Sequence, residues 1–243
     1  HVNTVSLANS AQDIFYGLKM FCHAYESMPN IQYAVIGLEP YALRYDMSKS
    51  RMERRHCIAY CPIAGTTHNW EEGAQLISAY QADERKLKQI FDEEYLKSLY
   101  DIYEKNSHGP KEERERIFDS AAMSQEQLDM DAQEVDELYR RPYTDILLEN
   151  KVILEEYARF CQEHGVKAIF FIPPYTNLYK KHMYKVYYRE LLAALKVFCS
   201  KYDAMVIDMM PVELPDCCFK DHEDLNHIGA IKVASYLNEV FDE

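Results

Sequence analysis

The sequence predicts an α/β fold, a mostly parallel sheet with helices on both faces, interrupted by a helical insertion. Three observations carry that expectation. Short continuous apolar runs alternate with longer segments of helical period. The runs end in glycine, proline or an acid, as strands do where they enter loops. One long stretch, Met47 to Pro142, leaves the alternation and is charge-rich, tyrosine-dotted and helix-favouring.

The elements follow in order. "NTVSLANS" carries a short apolar stretch ending in small polar residues, the tip of a strand. "AQDIFYGLKMFCHAY" then spaces Ile14, Leu18, Phe21, Cys22 and Tyr25 along one helix face from Ala11 onward. "IQYAVIGLEPYAL" is an apolar run stopped by Gly37 and Pro40, the pattern of a strand buried on both faces. Beyond the insertion a helix is expected from about Thr144 to His164, capped by Gly165. The strand "KAIFFIPP" follows, then a proline-set turn at "PPYTN" with Tyr175 and Asn177 lining a cleft. Tyr184 to Tyr202 read as a helix, "AMVIDMMP" as a strand, and Ile228 to Phe241 as the closing helix. The expected organisation is an α/β domain built from residues 1–46 and 143–243. Residues 47–142 form an inserted helical lid or subdomain, in which Leu87, Ile90, Phe91, Tyr95, Leu99 and Ile102 keep a helical period.

Composition narrows the partners. At 243 residues, 48% hydrophobic and 28% charged, the chain has the make-up of a soluble globular protein. A net charge of -13 repels nucleic acid and anionic membrane surfaces. No apolar run reaches the roughly 18 residues of a membrane span. The chain opens on His1 rather than Met, which leaves room upstream for a leader, an anchor or a first strand. Seven cysteines, an odd number set mostly in apolar patterns, read as free thiols and favour a reducing, cytoplasmic compartment. Adjacent Cys217 and Cys218 are either coincidence or a vicinal pair. His23, His56, His68, His108, His164 and His182 read as surface or packing histidines.

In a parallel α/β fold, functional groups gather at the carboxyl ends of the strands. Here those ends are "IGLEP", "FIPPYTN" and "VIDMMP", followed by "FKDHEDLNHIGA" just ahead of the last helix. In order and spacing this set resembles the SGNH (GDSL-like) hydrolase superfamily. It is most similar to the divergent bacterial branch tied to acylation of cell-surface polymers such as alginate and teichoic acid. The likeness covers about Val5 to Tyr45 and Tyr143 to Glu243. It implies a flavodoxin-like three-layer α/β/α fold and a serine nucleophile after the first strand. It also implies oxyanion donors from a glycine and an asparagine after the next two strands, and an Asp-x-x-His pair before the last helix.

Placed on this chain, the resemblance puts Asp221 at the aspartate of that pair and Asp224 where the histidine belongs; Asn226 and Gly229 match the family positions. A second register reads "DLNH" as the pair, with Asp224 orienting His227 as base. Gly37 matches the third block, and Glu39 stands where an oxyanion asparagine is usual, a carboxylate that would repel a developing oxyanion. Ala11 takes the place of the second-block glycine and offers a backbone N–H. Ser10 is either the nucleophile, at a strand-to-helix turn, or the cap of a helix starting at Ala11. In the first case the nucleophile is within the chain; otherwise it precedes His1.

Asp221, His222, Asp224 and His227 also offer carboxylate and imidazole ligands within seven residues, but their spacing fits no metal signature. No metal and no cofactor is expected. The resemblance thus implies an esterase or O-acyltransferase acting through an acyl-serine on a glycan or acylated cell-envelope polymer. The alternative is a non-catalytic module of the same fold that binds a glycan or a partner protein in envelope assembly. Family analogy favours the cell envelope, against the cysteine reading. The tyrosines suit a sugar-facing surface and a packed core equally well.

Overall fold

A computed structural model describes residues 4–8, 12–50, 57, 60, 64–65, 67–71, 115–140 and 144–242. Ser10, Ala11, Cys61, His56, His108 and the periodic stretch Leu87 to Ile102 lie outside the described residues.

The fold is α/β. Three parallel strands, β1 (Tyr33–Gly37), β2 (Lys167–Ile172) and β3 (Ala204–Asp208), pair in that order. Tyr33 lies opposite Lys167 and Gly37 opposite Phe171; Ala168 lies opposite Ala204 and Ile172 opposite Asp208. The central strand is the most apolar of the three, and Ala168, Ile169, Phe170 and Ile172 are all buried. β2 alternates between two cores. Ala168, Phe170 and Ile172 join the larger one with Ala34, Ile36 and Leu38 of the β1 segment and helices α1 (Ile14–Ser27), α3 (Leu147–Glu163) and α5 (Lys185–Lys201). Ile169 packs instead with Ile207, Met209 and Val233, the last from α6 (His227–Asp242).

The expectation that β1 is buried on both faces is corrected: Ala34 and Ile36 are buried, whereas Val35 is 47% exposed. α6 covers β2 and β3 on that face and touches β1 through Phe241, whose ring meets Tyr33 edge-on at 4.9 Å. The strand tip expected in "NTVSLANS" is corrected too, since Thr4 to Ala8 form no strand. Among the described residues β1 is therefore an edge. Gln32 and Leu38 bond to β2. By the alternation of a parallel ladder, Tyr33, Val35 and Gly37 turn their backbone groups outward. They face a cavity of about 1430 Å³ bounded by Val5, Leu7, Ala234, Leu237 and Phe241.

Capping chemistry decides the helix ends. α1 begins at Ile14 rather than Ala11 because the Asp13 side chain accepts the Tyr16 amide at 3.0 Å, a strong N-cap. α3 ends where expected: Gly165 takes φ 69°, and the Val166 and Gly165 amides close back on Cys161 and Gln162 carbonyls at 2.8 and 3.1 Å. At "PPYTN" Pro173 to Thr176 form no regular element, and a short helix, α4 (Asn177–His182), starts at the last residue. Thr176 starts it by accepting the Tyr179 amide at 3.2 Å, and Tyr175 is buried. From the region read as an insertion, α2 (Gln125–Arg140) sets Val135 and Tyr139 into the larger core.

The loop after β1 is tied down from two sides. Asn150 of α3 is buried and donates to the Tyr45 carbonyl at 2.8 Å. Arg44 grips both oxygens of Glu190 on α5 at 2.8 to 3.0 Å, its guanidinium over the Tyr187 ring at 4.5 Å. Glu39 and Tyr41 are thereby held at the carboxyl edge of the sheet.

Candidate ligand site at the carboxyl edge of the sheet

Each strand delivers one piece of this edge. β1 runs out into Glu39, and β2 into Tyr175 and Thr176. The loop Phe219 to Asn226, after β3, closes over them. That loop is built by its own polar side chains. Phe219 and Leu225 form an isolated antiparallel bridge, and the Lys220 amide meets the Asp224 carbonyl at 2.8 Å. Asp221 Oδ1 accepts the amides of Glu223 and Asp224 at 3.0 and 2.6 Å, the turn that short acidic side chains favour. Thr176 donates its hydroxyl to the His222 carbonyl, which fastens the loop to the end of β2.

Asn226 is the keystone. Buried to 2%, it turns Nδ2 toward the carbonyls of Cys217, Phe219 and Arg116 at 2.9, 3.0 and 3.2 Å. Its Oδ1 accepts the Ile228 and Gly229 amides at 2.9 and 3.2 Å, capping α6. Asn226 is thus the scaffold of the loop.

The other expected site residues separate by environment. Asp224 is exposed and pairs with Lys220 Nζ at 2.8 Å. His227 is exposed in the first turn of α6. Gly37 ends β1, with open space where a Cβ would stand; Gly229 is buried with a backbone oxygen in that place. Among the described residues, Asp221, His222, Asp224 and His227 do not bring three ligand atoms within 4.8 Å of one another. Cys217 is exposed and Cys218 buried, so the adjacent thiols face different surroundings.

Glu39 and Glu223 are the groups the fold brings together. Burial, and then the Asp224 charge, raise Glu39 to about 7. Burial, and then Glu39, Asp224, Asp221 and Glu134, raise Glu223 to about 8. The Tyr175 hydroxyl donates to Glu39 Oε2. Behind them the tyrosines form a packed layer: Tyr175 stacks on Tyr179 at 4.1 Å, and the Tyr179 and Tyr139 hydroxyls meet at 2.9 Å. Tyr139, Tyr175 and Tyr179 are buried, so for these rings packing is the role and a sugar-facing surface is not.

Glu223 borders a cavity of about 650 Å³ between the loop and α2. Six acids line it: Asp119, Asp131, Glu134, Asp221, Glu223 and Asp224. Its bases are Arg116, Lys220 and His222, and His222 already faces Asp131 at 3.7 Å and Glu134 at 4.0 Å. An acid-rich cavity with one carboxyl, Glu223, raised to about 8 both donates and accepts hydrogen bonds, and suits hydroxyl or ammonium groups. Glu223 stands inside the stretch that sequence reasoning singled out, but its signal there is masked by five other titratable residues, Lys220, Asp221, His222, Asp224 and His227; Asp131 and Glu134 give no local signal at all.

The raised carboxyls set a pH dependence. Both bind a proton more tightly folded than unfolded. Their stabilising contribution is therefore full below the unfolded carboxyl range, near pH 4, and is lost as pH rises toward 8. Between pH 5 and pH 9 the wild-type protein should lose on the order of 2 kcal/mol more stability than Glu39→Gln, read from urea midpoints at the two pH values. Equal losses in the two proteins would contradict the buried-acid assignment.

No protein-family model matches the chain and no curated relative matches it in sequence.

Proposed function

We propose that this chain is a non-catalytic SGNH-like module, with the flavodoxin-like layering of that superfamily, that binds a neutral or amino-bearing glycan in the acid-lined cavity beside Glu223. One observation carries the reading. At the loop where the family keeps its catalytic pair, Asp221 and Asn226 hold backbone, Asp224 pairs with Lys220 and the buried His222 faces Asp131 and Glu134, while the carboxyls raised toward neutral pH at that edge are Glu39 and Glu223. Carboxyls grip sugar hydroxyls through charge-assisted hydrogen bonds and repel an anionic polymer. The glycan class itself comes from the resemblance.

The competing route is an acyl-serine esterase or O-acyltransferase with Ser10 as nucleophile and His227 as base. Calorimetric titration with neutral, amino-bearing and uronic-acid oligosaccharides, run beside acetyl-ester hydrolysis, separates the two. The expected result is saturable binding of the first two classes, weakened about tenfold by Glu223→Gln, with no ester turnover above buffer. Ester turnover that disappears in His227→Ala would establish the enzyme instead.

A further inference from the structure

Away from the sheet edge, the start of α1 and the loop after β1 enclose a second polar cluster. Asp13 and Asp46 are 4% and 0% exposed, and His68 is 4% exposed between them. His68 Nδ1 lies 3.6 Å from Asp13 Oδ2 and 3.7 Å from Asp46 Oδ1, beyond hydrogen-bond reach of both, and it is buried without a hydrogen-bond partner. The other ring nitrogen, Nε2, sits 3.4 Å from Glu149 Oε1 and 3.3 Å from Asn69 Nδ2, whose hydrogens go to Asp46 and Glu149 at 2.9 Å each. With Nε2 carrying the proton, the Nδ1 lone pair points at two carboxylates, an arrangement that is repulsive unless a cation lies among the three.

We infer that Asp13, Asp46 and His68 form a site for one divalent transition-metal ion of the zinc class. Among the described residues theirs are the His, Cys, Asp or Glu ligand atoms that all lie within 4.8 Å of one another. Bonds of about 2.1 Å at a tetrahedral centre set donors about 3.4 Å apart, close to the separations seen here. The imidazole excludes calcium and magnesium, which take oxygen donors. Each ligand is oriented from behind. Asp13 Oδ2 accepts the Met47 amide at 3.1 Å, and Asp46 Oδ1 accepts the Ser48 amide at 2.9 Å. Asn69 reaches Asp46 Oδ2 and Glu149 Oε2, each at 2.9 Å, from a left-handed backbone (φ 48°) that asparagine tolerates. The Glu149–His68 contact is the carboxylate that commonly steadies a metal-bound imidazole. Phe15 stacks flat on the His68 ring at 4.4 Å and completes the enclosure.

Charge points the same way. Among the described residues, two buried carboxylates and Glu149 face one imidazole, and Lys49 and Lys19 are engaged elsewhere: Lys49 with Asp145, and Lys19 over the Phe15 ring at 5.5 Å. Buried charges are paired or coordinate metals. The site owes nothing to the glycan reading and is tested apart from it.

Full-length protein stripped with a chelator and exchanged into metal-free buffer is titrated with zinc chloride alone, following bound metal by elemental analysis and stability by thermal unfolding. One equivalent of zinc should bind and raise the unfolding midpoint, and cobalt(II) in its place should show the visible bands of a four-coordinate N/O centre. His68→Gln should abolish stoichiometric binding. Glu149→Gln, at a half-exposed position that leaves the fold intact, should weaken affinity 10- to 100-fold. Two results would overturn the site: no bound zinc with an unchanged midpoint after chelation, or a His68 imidazole whose NMR titration shows the cation among the three groups to be a proton.

Discussion

Gly229→Ala should destabilise the protein by about 3 kcal/mol, a fall of roughly 6 to 12 °C in the unfolding midpoint for a domain of this size. A Cβ at Gly229 would stand 2.1 Å from the Cys218 carbonyl oxygen and 2.7 Å from a Leu225 methyl. The leucine can swing away; the carbonyl is main chain, held by the Asn226 amide at 3.0 Å, and moves only if α6 separates from the loop. The contrast is Gly37→Ala. Nothing lies within 4 Å of a Cβ there, and the change should stay within about 0.5 kcal/mol. Thermal melts of the two variants distinguish the glycine that sterics demand. Equal melts would mean that the first turn of α6 yields freely.

Asn226→Ala should cost about 3 to 5 kcal/mol. Loss of the cap alone costs about 1 kcal/mol, and the part-buried Cys217 and Arg116 carbonyls, left without their Asn226 donor, add about 1 to 2 each, while the Phe219 carbonyl keeps the Phe118 amide at 2.9 Å. Asn226→Asp separates the two contributions: it restores an acceptor for the Ile228 and Gly229 amides but sets a carboxylate against the carbonyls of Cys217 and Phe219. Its stability should fall between those of wild type and Asn226→Ala, with helicity at the start of α6 retained. Urea unfolding with amide exchange at Ile228 and Gly229 checks both statements. A wild-type midpoint for Asn226→Ala would remove the asparagine from its role as scaffold.

Much of the architecture was legible in the chain because it is written locally. The runs that became β1, β2 and β3 are short, apolar and bounded by breakers, and α3 stops at Gly165 as its composition demands. What failed depended on distant partners. β1 looked buried on both faces because its residues are apolar; its exposure reflects how far α6 reaches across the sheet. The helix was read as starting at Ala11, but the Asp13 side chain caps it by accepting the Tyr16 amide, so the first turn starts at Ile14. At "PPYTN" the two prolines hid a helix that Thr176 starts after them.

The same division runs through the sites. The place of the loop before α6 was legible from its pattern. The role of Asn226 was not, since its partners Cys217, Phe219 and Arg116 carry no mark in sequence. His68 read as a packing histidine for the same reason: its neighbours Asp13, Asp46 and Glu149 are scattered along the chain and share no spacing. Clusters assembled by topology leave no motif.

The order of the strands also sets an order of assembly. β3 meets β2 across 36 positions, Ala168 to Ala204, whereas β1 meets it across 134, Tyr33 to Lys167. The longer closure costs about 1.2 kcal/mol more in chain entropy, before the edge position of β1 is counted. The unit β2–α5–β3 is therefore the natural nucleus, and β1 with α1 docks on it late. In reverse, the chain loosens from β1 first, so partial opening strips away Asp13 and Glu39 while Tyr175 and Asp208 stay on a formed sheet. Glu39 and Glu223 stand on opposite sides of that seam, and a ligand that engaged both would act as a clasp across the last joint to close.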